Sequence, residues 1–354
     1  MLGLLTAAGR AGPIGVDVGA RSVKLVQFSR DRRDVIDAAR WDLPVPDQED
    51  GPQPDAVAEA IRRAREGRRF RGREAVVCLS GRRLYLQNVR VPKAEGEELD
   101  RLVHQEAAGR MPFPVADSEI RYLEAADVRQ PGGALREVIL MAALRSAVEE
   151  ALGEVEKAGL YPVALDAEPL ALLRGYTSQF RREEDVQQRT LSVHLGYSRM
   201  AAIISEGDHA LFVKYIDVGG KHFDEAAARG LGMPLKDAVA LRRHNGDRRS
   251  EQQDAEIARS IGQAVRPVIE KLVSELSMCV RYHSVTFRGK SLGRLVLGGW
   301  EATPALAETL AERLNLKCEL SQPFRHHSLP GSTHRSGQWD VAVGLALREL
   351  ETEA

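Results

Sequence analysis

Two stretches of this chain set a polar side chain two residues ahead of a glycine, between runs of apolar residues: IGVDVGARSVKLV at 14–26 and SVHLGYSRMAAII at 192–204. Laid together, Val193 falls on Val16, His194 on Asp17, Leu195 on Val18 and Gly196 on Gly19. A strand that ends in a tight glycine turn and returns can bring backbone N–H groups to a phosphate. A carboxylate just before the turn can hold hydrated Mg²⁺. Asp17 and Gly19 suit those roles. One D-x-G is common in plain β-turns, so the weight comes from its recurrence, with two further turns in order: DVGG at 217–220 and LGGWEA at 297–302. The exchange of aspartate for histidine at 194 is the feature that needs explaining.

The elements that carry these turns follow from hydrophobic period. Val16, Val18, Val23, Leu25, Val26 and Phe28 flank Gly19 as two strands, and residues 75–92 (AVVCLSG, then RLYLQNVRVP) read as two more. Residues 41–54 are a proline- and acid-rich loop. Residues 56–71 are partly helical and arginine-rich. Leu99, Leu102, Val103 and Ala107 keep helical spacing up to MPFP, where Pro112 and Pro114 stop the helix. EIRYLEA and REVILMAAL read as strands around QPGGA. Ser146 with Glu149 then predicts a capping box on a helix closing at Gly159. That helix, strand, strand, helix order suggests a small inserted α+β subdomain. The second half repeats the opening theme in TLSVHLGYSRMAAII and ALFVKYIDVGG. A long apolar stripe follows, from Val265 and Val268 through Ile269, Leu272, Val273 and Leu276 to Val280. RLVLGG is a strand, Thr303 caps a helix that starts at Pro304, residues 323–337 form a loop, and DVAVGLALREL is the last helix.

Composition narrows the function. At 354 residues and 43% hydrophobic, the chain can bury two cores, and a formal charge of −1 gives no pull toward nucleic acid. Cys78, Cys279 and Cys318 match no zinc or redox spacing, which fits a reduced, cytosolic protein. The start, MLGLLTAAGRAG, lacks the apolar core and basic front of a secretory signal and reads as a frayed end or a short amphipathic anchor. No run of apolar residues is long enough to span a membrane, so any membrane role comes through a partner. The basic run from Arg62 to Arg73 fits a solvated face, with an anchor for anionic lipid as the sharper alternative. His326, His327 and His334 lie near Cys318 without metal-ligand spacing and read as loop side chains. Neither a Walker loop nor a G-x-S-x-G elbow is present.

Strand–turn–strand loops duplicated in this way across a cleft are the mark of the actin-like ATPase architecture. Several phrases sharpen the match: IGVDVGARSVKLV; VRVP followed by LDRLVHQEAAGRMPFPVADSEIRY; EKAGLYPVALDAEPLALLR; DVGGKHFDEAAA; LVLGGWEATPALAETLAERLNL; and WDVAVGLALRE. Together, and over nearly the whole chain, they resemble the PilM family, actin-like proteins of type IV pilus assembly similar to the division protein FtsA. The segment around MPFP discriminates most, because sugar kinases and heat-shock chaperones share the phosphate loops but not this insertion.

The resemblance implies an α/β protein of actin-like ATPase fold: two ribonuclease-H-like domains with an inserted α+β subdomain and ATP between the domains. It places the first actin-like subdomain at 13–92, completed by 164–189 and the C-terminal helix 340–354. The insertion then spans 93–163, the second actin-like subdomain 190–222 and 293–339, and a mostly helical subdomain 223–292. By motif, Asp17, Gly19, Arg21, Ser22 and Lys24 form the first phosphate loop, with Mg²⁺ held by Asp17 through water. Gly196, Tyr197 and Ser198 form the second, and Gly219, Gly220 and Phe223 follow it. Gly298 and Gly299 lie against the adenosine. Glu275 falls where the family has an acidic residue near the nucleotide, though a solvated place on its helix reads as well.

Two departures bear on turnover. His194 stands where the second loop usually has an acid, and an imidazole is a poor ligand for Mg²⁺. In LKDAVALRR, Val239 and Arg242 replace an acid and a lysine; arginine can still neutralise phosphate, but not as lysine does. These point to a cytoplasmic ATP-binding scaffold with weak or absent hydrolysis, peripheral to the inner membrane. Its implied partner is the N-terminal cytoplasmic peptide of a PilN-like protein, seated near Leu84–Pro92 and Met111–Val115. It would serve an inner-membrane assembly complex, with room for homo-oligomers and no nucleic acid. The alternatives are an active ATPase or small-molecule kinase on the same fold, and an FtsA-like filament former.

Overall fold

The fold is given by a computed structural model that describes residues 11–44, 53–130, 133–246, 254–287, 290–327 and 335–350. Three antiparallel strands open it: β1 (Ala11–Val18), β2 (Ser22–Ser29) and β3 (Val35–Asp42). Helix α1 (Pro54–Arg65) follows and lays Val57, Ala58, Ile61 and Ala64 on the sheet, and β4 (Glu74–Leu79) joins β1 in parallel. Strand β1 is central, which is why Ile14 to Asp17 are all buried and the strand reads as nearly continuous apolar sequence.

The chain then leaves for a second unit: β5 (Tyr85–Pro92), α2 (Gly96–Arg110), β6 (Ser118–Gln130) and β7 (Gly133–Leu144). The three strands form an antiparallel sheet in the order β5-β7-β6, with α2 packed on it through Leu99, Val103 and Ala107. Helix α3 (Arg145–Lys157) and β8 (Tyr161–Ala167) return to the first sheet, whose order becomes β3-β2-β1-β4-β8. The sheet of the insertion therefore begins at Tyr85, ahead of the expected boundary at 93. Its expected closing helix also belongs elsewhere, since Val155 of α3 packs in the core of α1 and β1. The capping box expected at Ser146 is absent: β7 runs into α3 without a loop, so Leu144 takes the cap position and no side chain caps.

Helices α4 (Glu168–Thr177) and α5 (Glu183–Val186) lead to the second half, where β9 (Arg189–Leu195), β10 (Met200–Glu206) and β11 (His209–Ile216) form a second antiparallel meander. Helices α6 (Gly220–Leu231), α7 (Leu235–Gly246) and α8 (Ala255–Thr286) form the helical layer, with the apolar stripe of α8 facing that sheet's core. Strand β12 (Arg294–Gly299) pairs with β9 in parallel. Thr303 caps α9 (Pro304–Leu314) as its sequence predicts, and β13 (Lys317–Leu320) completes the order β11-β10-β9-β12-β13. Strand for strand, this is the topology of the first sheet. The last helix, α10 (Asp340–Ala346), is buried on every side. Gly15 and Gly344 admit it: a Cβ on Gly15 would stand 2.3 Å from the Ala342 carbonyl oxygen, and one on Gly344 1.7 Å from that of Ala171 in α4.

Two side chains fasten the inserted unit to the second domain's edge strand: His209 Nε2 lies 2.7 Å from the Ala125 carbonyl oxygen, and Asn88 bonds the strand twice. Asn88 Nδ2 donates to the Val213 carbonyl at 2.7 Å, and Val213 N–H donates to Asn88 Oδ1 at 3.3 Å. An unpaired buried polar group costs about 1–3 kcal/mol. Asn88→Ala is therefore expected to lower the thermal unfolding midpoint and speed amide exchange at Val213. Unchanged exchange there would show that the side chain does not hold the edge.

Candidate functional site

The two glycine turns close in the same way. Gly19 N–H donates to the Ser22 carbonyl at 3.0 Å, and Gly196 N–H to the Arg199 carbonyl at 3.1 Å. Between those bonds the amides of Ala20 and Arg21, and of Tyr197 and Ser198, take part in no described hydrogen bond, which leaves four donors for an anion. The N-terminus of α6 braces the second turn: Gly220 and Lys221 donate to the carbonyls of Gly196 and Tyr197 at 3.0 and 2.8 Å. Gly219 must lack a side chain here, because a Cβ would meet those same two oxygens at 2.7 and 2.6 Å.

Both turns line one cavity of about 290 Å³. Asp17, Gly19, Arg21, Ser22 and Lys24 supply one wall; His194, Gly196, Tyr197 and Ser198 supply the other. The turns touch across it, Arg21 Nη1 donating to Tyr197 Oη at 3.2 Å with its guanidinium 4.8 Å from the ring centre. Arg21, Lys24, Arg40, Arg82, Arg83 and Arg199 outnumber the lining acids Asp17, Glu154 and Glu168, which suits a polyanion, although Arg40, Arg83 and Arg199 also pair with Asp42, Glu150 and Asp217 outside the cavity. Lys24 Nζ sits 2.7 Å from Asp17 Oδ2, the pair about one-tenth exposed, whereas Arg21 has no acidic partner among the described residues. A triphosphate fits these donors. For Mg²⁺ the lining offers Asp17 as an outer-sphere carboxylate already shared with Lys24. Among the described residues no group of three His, Cys, Asp or Glu side chains could hold a metal.

Of the remaining expected residues, Gly219, Phe223, Gly298, Gly299 and Glu275 line neither this cavity nor its neighbour. Gly220 and Arg242 line a smaller recess of about 60 Å³ that shares Gly196, Tyr197 and Trp300 with the first. Arg242 is already engaged: it pairs with Asp224, reaches Glu301 at 2.6 Å and lies 5.5 Å over the Phe223 ring. Burial raises the Glu301 carboxyl above its usual range, with Arg242 and then Arg335 opposing. Trp300 is stacked between Arg40, 4.1 Å away from the first domain, and Arg335 at 4.6 Å. Gly299 adopts φ +90°, with Leu195 close beneath it. Glu275 lines neither cavity and pairs with Lys214 at 3.1 Å.

His194 has a partner that no local pattern reveals. Its Nδ1 lies 3.3 Å from Asp340 Oδ2, across the junction with the first domain, and 3.5 Å from Tyr176 Oη. Asp340 is 0% exposed, and its other oxygen accepts from Ser321 Oγ at 2.5 Å. Gly298 packs against this group; a Cβ there would stand 1.9 Å from Asp340 Oδ2. Glu168 was also missed: on the cavity wall, its Oε2 accepts from Gly81 N–H and Tyr215 Oη, each at 2.7 Å. The helix-start phrase DAEP was the available signal.

Other expectations settle on the surface. Arg62 and Arg63 pair with Glu59, and Arg68 with Asp37, so those arginines are ion-paired. His326 contacts the Gln179 carbonyl; His327 is not a surface side chain but packs against Phe28, 4.8 Å between ring centres, and contacts the Arg32 carbonyl. His334 and the first ten residues lie outside the described residues.

Two topologically matched sheets facing each other across a cation-rich cleft define an actin-like protein. The chain belongs to the PilM family: the profile described as type IV pilus assembly protein PilM matches residues 15–350. A solved "PilM-PilN type IV pilus biogenesis complex" is similar at 25% identity and TM-score 0.78, over 96% of this chain and 98% of that one. The ethanolamine utilization protein EutJ from Carboxydothermus hydrogenoformans shares the fold at 16% identity and TM-score 0.58, over 95% and 89% of the two chains. Comparison with curated proteins finds no match.

Removing one partner of a buried ion pair costs about 3–5 kcal/mol, so Arg242→Ala is expected to destabilise the fold on that order. Glu301's folded value lies above its unfolded one, so its contribution to stability is full below the unfolded value and fades as pH rises through the folded one. The Arg242→Ala loss, read from urea denaturation, should therefore be larger at pH 8 than at pH 5. A pH-independent loss would show that Glu301 does not govern it.

Proposed function

We propose that this chain is a cytoplasmic, ATP-binding scaffold of a type IV pilus or related secretion machine, with weak or absent hydrolysis, that recruits a PilN-like inner-membrane partner. The observation that carries the nucleotide part is the pair of equivalent turns on one cavity, with four free amides and an excess of cations. Weak hydrolysis follows from the donor set. With one carboxylate shared with Lys24 and an imidazole opposite it, a metal would be held loosely, and the charge developing on the transferred phosphoryl group would be poorly stabilised. Mg²⁺, where it binds, would lie outside Asp17 and take its remaining oxygens from phosphate and water.

The partner part rests on the similar PilM–PilN structure and on the surface of the inserted unit. No described helix is long and apolar enough to cross a membrane, so attachment through a membrane-spanning partner suits the chain. Of the lining expected at 84–92, Leu84, Val89 and Val91 are buried, Val89 to 2% exposure, and a charge there would unfold the unit before it blocked a peptide. Tyr85, Met111, Phe113 and Val115 are half-buried around the same core and leave apolar surface for a peptide's alternate side chains. Phe113 stands edge-on to Tyr85, 6.2 Å between ring centres.

Wild-type protein should bind ATP in calorimetry and release phosphate slowly; brisk steady-state turnover would overturn the scaffold reading. Phe113→Ala should keep its circular dichroism and a cooperative melt, at a somewhat lower midpoint, while losing most of its capture of a PilN-like N-terminal peptide. Undiminished capture would move the peptide site elsewhere.

A further inference from the structure

We propose that His194 and Asp340 form a base dyad: Asp340 fixes the ring from the first domain, and His194 Nε2 takes the proton of the water that attacks the terminal phosphoryl group. This rests on the reading that the cleft binds a nucleoside triphosphate. It names the group through which the slow hydrolysis runs.

The geometry assigns different jobs to the two ring nitrogens. Nδ1 is turned toward Asp340 Oδ2 at 3.3 Å, with Tyr176 Oη at 3.5 Å beside it. Asp340 is fully buried, and among the described residues His194 is the one basic side chain within ion-pair distance of it. A buried carboxylate needs donors for both oxygens. Ser321 serves Oδ1, and the Tyr176 hydroxyl also hydrogen-bonds this carboxylate, beside His194 Nδ1. Burial, then the Asp340 carboxylate and the hydrogen bond to it, push the Tyr176 hydroxyl well above the usual phenol range; its hydrogen goes to the carboxylate and none is left for Nδ1, which faces Oδ2 with a hydrogen of its own. With Nδ1 committed inward, Nε2 carries the lone pair. It has no partner among the described residues, and His194 lines the cavity of the two turns. A carboxylate holding an imidazole in one tautomer with the far nitrogen toward the reacting group is how histidine is made a general base.

The step balances without a further reactant. The water oxygen bonds to the terminal phosphorus, and the bond from that phosphorus to the bridging oxygen breaks. The diphosphate keeps the electron pair, and the water's proton moves to Nε2, which later returns it to solvent. His194 would be the catalytic residue and Asp340 a positioning residue.

The test compares wild type, His194→Gly and Asp340→Asn in three measurements: ATP affinity, single-turnover phosphate release with and without added imidazole, and the proton NMR spectrum of the ligand-free protein. The free protein should show a far-downfield Nδ1–H resonance that both variants lose. His194→Gly should bind ATP as wild type does and release phosphate about 10²-fold more slowly, with imidazole restoring part of the rate. Asp340→Asn should slow release less than His194→Gly does. Wild-type release that survives in His194→Gly overturns the dyad and leaves the ATP scaffold standing. So does ATP binding by wild type with no detectable release, or a lost rate that imidazole does not rescue. Failure of the wild-type protein to bind ATP overturns both readings. A variant that fails to melt cooperatively is replaced by His194→Gln, for which the resonance must still vanish.

Discussion

A carboxylate with no solvent exposure, set at the junction of two domains, constrains much of the middle of this molecule. Asp340 opens α10, a helix buried on every side, and α10 can lie there only because Gly15 and Gly344 let it approach β1 and α4 backbone to backbone. The carboxylate must then find donors. Ser321 and His194 reach it from the opposite domain and Tyr176 from α4, and Gly298 is bare because any side chain there would strike it. The family resemblance assigns Gly298 to an adenosine contact; the packing supplies a second reason for glycine that needs no ligand.

The same carboxylate accounts for the histidine. In the first turn Asp17 faces Lys24 across the β1–β2 ladder, and the ion pair closes. In the second turn the residue facing His194 across β9–β10 is Ala201, so the lysine has gone along with the aspartate. An aspartate at 194 would have no cation opposite it and would sit beside Asp340. Two buried carboxylates at such range cannot both ionise cheaply. The turns keep the same closing hydrogen bond and topology while their charge has been rewritten as a unit.

Most strands, both turns, the Thr303 cap and the repeated strand–turn theme were legible in the sequence because each follows from local period or turn chemistry acting within a few residues; the outer strands β3, β8 and β13 were not read. Missed features depend on neighbours far along the chain. Nothing in RLYLQNVRVP says that its strand pairs with β7 rather than joining β4, and nothing in RSAVEEALGEVEK says that it packs on α1. Ser146 carried the right letter for a cap, but the strand before it ends too late. Arg242 looked available for a ligand until Asp224 and Glu301 were brought against it by folding. Asp340 stood in the quoted phrase WDVAVGLALRE, where a lone acid at a helix start reads as an ordinary first-turn carboxylate.

What joins the two domains around the cleft is numerous and individually weak. Arg21 meets Tyr197, Arg199 donates to the Gly81 carbonyl at 2.8 Å, Arg40 stacks on Trp300, and Tyr215 reaches Glu168. Cation–π contacts contribute about 0.5–1 kcal/mol each at exposed sites; beneath them a buried apolar cluster runs from Leu172 and Leu345 in the first domain to Ile203, Val213 and Val296 in the second. The inserted unit answers to both sides: its chain springs from the first domain, yet Asn88 ties it to β11 and Arg90, Glu137 and Tyr282 tie it to α8. Any ligand that favours one domain angle over another therefore also biases where the inserted unit sits, by no more than its difference in affinity for the two arrangements. On the proposed reading of the chain as a nucleotide-binding scaffold, that coupling is how the ligand would act on the partner site, and the biased state would persist for as long as the ligand stays bound.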